Sequence, residues 1–97
     1  MPAYLVARAR VDDPARYKRY ADLVDPIVAK FGGRPLARGG RCEVLEGPGG
    51  FNRVVVIEFP SLEQARSYYH SAEYQAAAQH RREGGGVVEI AIVEGLG

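Results

Sequence analysis

The chain has 97 residues, which suits one small domain (1–97) whose core is marginal on its own. Its 13 basic and 12 acidic residues leave a formal net charge of +1, and the arginines are scattered. That excludes the concentrated basic footprint of a nucleic-acid binder. Cys42 is the only cysteine, so an internal disulfide and a thiolate metal set are excluded as well.

No apolar run is long enough to span a bilayer. The opening Met-Pro-Ala-Tyr-Leu-Val-Ala-Arg lacks the basic leader of a signal peptide. The expectation is a cytoplasmic protein with no membrane partner.

Residues 3–11 read as the first strand. Leu5, Ala7 and Ala9 form a small apolar face, and Tyr4, Val6, Arg8 and Arg10 a mixed one. Asp12-Asp13-Pro14 starts a helix, with Asp13 as N-cap and Pro14 at the first helical position. Tyr17, Tyr20, Ala21, Val24, Ile27, Val28 and Phe31 follow at helical spacing and define a stripe to be packed on a sheet. Pro26 inside this helix predicts a kink or local break, and Gly32-Gly33 its end.

Arg34–Arg38 and Cys42–Glu46 read as two halves of a second strand, bent by a bulge at Gly39-Gly40. Gly47-Pro48-Gly49-Gly50 is a turn cluster. Arg53–Phe59 is the third strand. Val55, Ile57 and Phe59 point one way, and Val54, Val56 and Glu58 the other, so both of its faces need cover.

Pro60 ends this strand, and Ser61 caps a helix with Gln64 three residues on. Ser71 reads as a second cap, which predicts a break near His70 and a restart through Tyr74, Ala77 and Ala78. Gly84-Gly85-Gly86 is the exit loop, and Val87–Glu94 the last strand.

The order strand, helix, strand, strand, helix, strand predicts an α+β, ferredoxin-like βαββαβ fold. Right-handed crossovers place both helices on one face of a four-stranded antiparallel sheet of order 4-1-3-2. The other face then shows Tyr4, Val6, Val54, Val56, Val87, Ala91 and Val93 or, if the helices cover that face instead, Val55, Ile57, Phe59, Val88 and Ile90; in either assignment nothing is left in the chain to cover it. Burying roughly 25 cal/mol per Å² of apolar surface favours a second copy in that place. A homodimer with sheets face to face, closing a shared barrel, is expected.

Several segments carry a family resemblance: Gly-Gly-Arg-Pro-Leu-Ala-Arg-Gly-Gly at 32–40, Val-Leu-Glu-Gly at 44–47, Arg-Val-Val-Val-Ile-Glu-Phe-Pro-Ser at 53–61 and Tyr-Tyr-His-Ser-Ala-Glu-Tyr-Gln at 68–75. Together, over nearly the whole chain, they resemble the bacterial domain-of-unknown-function family numbered thirteen-thirty. The resemblance implies a dimeric α+β barrel with a ferredoxin-like protomer. The wider superfamily of such barrels includes cofactor-independent monooxygenases, muconolactone-isomerase-like enzymes, haem-dependent dismutases and amino-acid-sensing domains. Fold alone does not choose among these, so no catalytic residue is carried over.

Read from the residues themselves, a cleft between helices and sheet, or the barrel interior, is the natural site for a small-molecule ligand. Glu58 is a candidate base and Arg8 a candidate grip on an anionic substrate. Their structural alternative, which is favoured, is an ion pair across neighbouring strands at the dimer interface. Arg38 before Gly39-Gly40 is a candidate for gripping a carboxylate or phosphate, set against a purely structural bulge. His70 is a candidate proton donor or acceptor, set against a polar residue at a helix end. Tyr17 and Tyr20 belong to the core stripe, and their hydroxyls could line a pocket.

His70 and His80 are not placed to share a metal, and no Glu-x-x-His or nucleophile motif occurs; no metal and no cofactor are expected. The functional expectation is a small-ligand binder, in enzymatic form a cofactor-independent isomerase or monooxygenase. The alternative is a non-catalytic binding or assembly module whose polar residues are interface pairs.

Overall fold

Strand β1 (Ala3–Val11) lies at the centre of a four-stranded antiparallel sheet, in a computed structural model that describes all residues, 1–97. After it come α1 (Pro14–Lys30), β2 (Arg34–Arg38), β3 (Arg53–Phe59), α2 (Leu62–His70), α3 (Ala72–His80) and β4 (Gly86–Glu94). The sheet order is β2-β3-β1-β4, as the crossover argument requires. The register sets Leu5 opposite Ile57 and Ile92, and Val6 opposite Val56 and Ala91. One face therefore carries Leu5, Ala7, Ala9, Ile57 and Phe59, all buried, and packs against the helices through Val24, Val28, Ala65, Tyr68, Tyr74, Ala77 and Ala78.

The helix boundaries follow from the caps. The Asp13 carboxylate accepts hydrogen bonds from the Ala15 and Arg16 amides (3.1 and 3.3 Å), with Pro14 where a missing N–H costs nothing. The Ser61 hydroxyl accepts from the Gln64 amide at 3.1 Å. Ser71 separates α2 from α3: its hydroxyl accepts from the Tyr74 amide (3.1 Å) and donates to the Tyr68 carbonyl (2.8 Å). The break turns α3 so that Tyr74 faces Tyr68, ring centroids 4.9 Å apart.

Helix α1 runs on through Pro26 without a break. It ends at Gly32, whose φ of 78° is a left-handed conformation that glycine adopts freely. Gly33 then passes so close to the core that a Cβ there would stand 2.7 Å from Val28 and 2.8 Å from Phe59.

Two expectations for the second strand are corrected. Cys42–Glu46 is not a strand; it lies exposed outside the sheet. Arg38 pairs with Val55, and β3 begins only two residues before that, at Arg53, so no β3 remains for Cys42–Glu46 to pair with. The bulge falls between Pro35 and Ala37 and not at Gly39-Gly40. Proline has no N–H to give the ladder, so the pairing is weakest at Pro35, and Leu36 is extruded there.

The bulge has a directional consequence. Arg34 stands opposite Glu58 on the open face of the sheet and Pro35 opposite Ile57 on the covered one. In an uninterrupted strand Arg38 would share the face of Arg34. The extra residue inverts the alternation, so Arg38 stands opposite Val55 on the helix-covered face.

Ser71 holds the junction through both its donor and its acceptor. Ser71→Ala is expected to lower unfolding free energy by about 1 kcal/mol, within the range for lost N-caps. Urea denaturation with an unchanged slope checks this, and an unchanged midpoint would show that the junction is held by packing alone.

Candidate functional site

The sheet's covered face and the helices do not close completely. Between them lies a cleft lined by Leu5, Ala7, Val55 and Ile57 from the sheet, Tyr17, Tyr20 and Val24 from α1, Tyr68 from α2 and Tyr74 from α3. It holds about 540 Å³ counted out to its open mouth, and the centres of water molecules can range over about 40 Å³ of it. Most of the lining is apolar, and the polar lining groups are three arginine- or carboxylate-bearing residues, Arg38, Arg53 and Asp25, and the tyrosine hydroxyls.

The tyrosines form a continuous cluster. Tyr17 and Tyr20 have ring centroids 5.3 Å apart on α1, and Tyr20 meets Tyr74 edge-on at 6.1 Å. The Tyr20 and Tyr74 hydroxyls are hydrogen-bonded at 2.9 Å. Behind them Arg81, only 7% exposed, donates to the Tyr74 hydroxyl at 3.1 Å and lies 5.4 Å from the Tyr20 ring centre. No carboxylate is within ion-pairing distance of Arg81, and its Nε is buried without a partner.

Arg53 lies at the other end of the cluster, 5.4 Å from the Tyr17 ring centre. It too lacks a carboxylate and has a buried, unpartnered Nε. Arg38, re-aimed by the bulge, is paired with Asp25 of α1.

Electrostatics follow from this packing. Burial pushes the Tyr17, Tyr20 and Tyr68 hydroxyls up from the ordinary phenol value; for Tyr20 and Tyr68 the neighbouring Tyr74 oxygen adds to the effect. Burial works against the Arg81 charge, but the Tyr74 hydrogen bond and the Tyr74 and Tyr20 oxygens outweigh it, and its proton is held more tightly than usual. At neutral pH the cleft therefore has neutral phenols beside fixed cations.

The residues singled out in the sequence fall in three places. Tyr17, Tyr20 and Arg38 line the cleft together. Arg8 and Glu58 lie on the opposite face of the sheet, and they do not pair with each other. Arg8 stands opposite Val54 and Glu89, pairs with Glu89, and covers the Phe51 ring at 4.5 Å. Glu58 accepts from Arg34 at 3.0 Å and from the Tyr4 hydroxyl at 3.4 Å. His70 ends α2, exposed, its ring edge-on to Tyr69, in a shallow hollow with Arg66, Ile90 and Ile92. It has only Ile90 in common with the lining of the cleft.

Sequence reasoning missed Arg53, Tyr68, Tyr74 and Arg81 as site residues. Arg53 was within reach, since it shares the alternation of Val55, Ile57 and Phe59. Arg81 carried no such signal.

This is an α+β protein of the ferredoxin-like class, its candidate site enclosed between helices and sheet. The family model for a domain of unknown function, DUF1330, matches residues 2–96, and the chain belongs to that family. None of the curated proteins matches the chain.

Among solved structures it is similar to a protein of unknown function from Rhodopseudomonas palustris, at 20% identity and TM-score 0.78, over 99% of this chain and 83% of that one. It is also similar to SnoaB, a cofactor-independent oxygenase from Streptomyces nogalater, at 14% identity and TM-score 0.72, over 99% and 94%. A third is a dimeric protein of unknown function with a ferredoxin-like fold from Bacteroides fragilis, at 14% identity and TM-score 0.66, over 97% and 96%. At these identities the likeness is one of fold.

The raised phenols make stability depend on alkaline pH. In the unfolded chain a tyrosine ionises near pH ~10. The folded state keeps Tyr17, Tyr20 and Tyr68 protonated beyond that, so it binds more protons than the unfolded chain there. Their stabilising contribution is complete below about pH 10 and is lost as pH rises further. A tyrosinate absorbance titration should show these three ionising only with unfolding, and a single transition near pH ~10 in the folded protein would contradict it.

Proposed function

We propose that the protein binds a small, largely apolar organic molecule in the cleft between α1, α3 and the sheet, and does so as a homodimer. The observation that carries the ligand reading is the pairing of an apolar lining with convergent polar groups: Tyr17, Tyr20 and Tyr74 inside, Arg38 and Arg53 toward the mouth. The free space is small, so the guest is a molecule of one or two rings, seated as the half-exposed Arg38 side chain gives way.

Of the two enzymatic forms, the oxygenase is better supported than the isomerase. An isomerase needs a positioned base to move a proton. The only carboxylate lining the cleft, Asp25, is tied to Arg38, and Glu58 and His70 lie elsewhere. A cofactor-free oxygenase draws its electrons from a deprotonated substrate, and one taken up already as an enolate or phenolate needs no base in the cleft; SnoaB, similar in fold, is described as a cofactor-independent oxygenase.

The homodimer rests on the open face of the sheet. Ala91, Val6, Val56 and Ala37 form an apolar row across all four strands. The Arg8–Glu89 pair flanks it on one side and the Arg34–Glu58 pair on the other. An apolar centre with a polar rim is the anatomy of a protein interface. A second copy presents the same row, whereas the helices of this chain are all on the other side. The similar protein from Bacteroides fragilis is described as dimeric. In this arrangement Glu58 and Arg8 are rim groups, not catalysts.

The chain contains six tyrosines and no tryptophan, so its intrinsic emission reports largely on the cleft. Titration with two-ring compounds, namely naphthalene, naphthol, tetralin and tetralone, is expected to give saturable changes in tyrosine emission. Ala21→Phe, which fills the cleft from α1, is expected to weaken binding about tenfold or more while leaving the circular dichroism spectrum intact. Flat titrations across the series, or undiminished binding by the filled variant, would contradict the reading.

A further inference from the structure

The hydrogen bonds at the cleft floor have a direction. A guanidinium can only donate, so the Tyr74 hydroxyl oxygen must accept from Arg81. The Tyr20 and Tyr74 hydroxyls, 2.9 Å apart, exchange one hydrogen bond, and that bond uses one of their two protons. The other proton has no acceptor in the protein: no further hydrogen bond is made by either hydroxyl. Both residues line the cleft. Whichever way the pair is oriented, the series Arg81 to Tyr74 and Tyr20 ends in one unmatched O–H donor at the cleft floor.

The remaining polar groups point to the same imbalance. Arg81 is 7% exposed with an unpartnered Nε, and Arg53, lining the cleft, has another. The one carboxylate in the lining is taken by Arg38. The unpaired side-chain acceptors left in the lining, the Tyr17 and Tyr68 hydroxyl oxygens, each bring an O–H donor as well, so donors remain in excess. A buried donor left unmade costs on the order of 1–3 kcal/mol, so the complement of this cleft is a guest that brings an acceptor.

We propose that Tyr20 and Tyr74, polarised by Arg81, form an acceptor-oxygen subsite that selects ligands carrying a ketone carbonyl or an ionised enol or phenol oxygen. The inference rests on the cleft being the ligand site and adds the class of ligand. The positive charge behind Tyr74 strengthens the terminal O–H as a donor, because hydrogen bonds in series polarise one another at low dielectric. Arg81 is a positioning residue; the hydroxyl at the end of the series touches the ligand. Neutral phenols suit this role, and the upward displacement of the Tyr20 hydroxyl keeps it a donor at any ordinary pH.

Tetralone and tetralin test this, since they have the same two rings and differ in one carbonyl oxygen. Wild-type protein is expected to bind tetralone about tenfold more tightly than tetralin, the effect of one good hydrogen bond. The carbonyl stretch of bound tetralone is expected to move to lower frequency. In the double variant Tyr20→Phe with Tyr74→Phe, which keeps both rings, tetralin affinity should hold. Tetralone should fall to it, and its stretch should return to the value in an apolar solvent.

Equal affinities in the wild type, or an unshifted stretch, would overturn the subsite and leave the cleft reading standing. Binding of neither molecule would overturn both. Equal losses for the two ligands in the double variant would make the hydroxyl pair structural and also overturn the proposal.

Discussion

The sheet has two apolar faces and only one layer of helices. Leu5, Ile57 and Phe59 are sealed under α1, α2 and α3, while Val6, Val56 and Ala91 lie on the side that no helix reaches. Antiparallel sheets normally wet one face. Here β3 (Arg53–Phe59) has valines on the side that would be wet. The division between the two faces follows from this: one holds a cleft under the helices, and the other leaves an apolar row that no helix of the chain covers.

The cleft depends on small local departures from regular structure. The bulge at Leu36 moves Arg38 from the open face to the covered one. The break at Ser71 turns α3 until Tyr74 meets both Tyr68 and Tyr20. The turn that follows, Arg81–Gly85, begins with the arginine that donates to Tyr74. The bulge and the break are one residue long each, and with the turn they bring Arg38 to the cleft lining and Arg81 to the tyrosine cluster. The polar pairs on the open face, Arg8–Glu89 and Arg34–Glu58, are surface-like in a lone protomer and contribute little there. They flank the apolar row on either side.

Much of the fold was legible because its signals are local. Asp13-Pro14, Ser61 and Ser71 mark helix starts by the chemistry of their own side chains, and the alternation in β1, β3 and β4 marks faces. The second strand was misread for an equally physical reason. A pair of glycines permits a bulge, but a proline in the ladder forces the weak point, and Pro35 sits four residues earlier than Gly39.

The site was half legible. Tyr17 and Tyr20 declared themselves by helical spacing; Arg53, which was missed, had a signal in its parity with Ile57, but the partnership of Arg81 with Tyr74 depends on how α3 is turned at Ser71. Alternation puts Glu58 on the face of Val54 and Val56, where it lies, and that face is opposite the cleft; His70 ends α2 in a separate hollow, which helical spacing alone does not reveal.

Sedimentation equilibrium of the wild-type chain at low micromolar concentration tests the two-faced sheet most directly. A species of twice the 10.6 kDa chain mass is the predicted result. A stable particle of the single chain mass, soluble across the concentration range, would mean that the row from Ala91 to Ala37 tolerates water and would contradict the account.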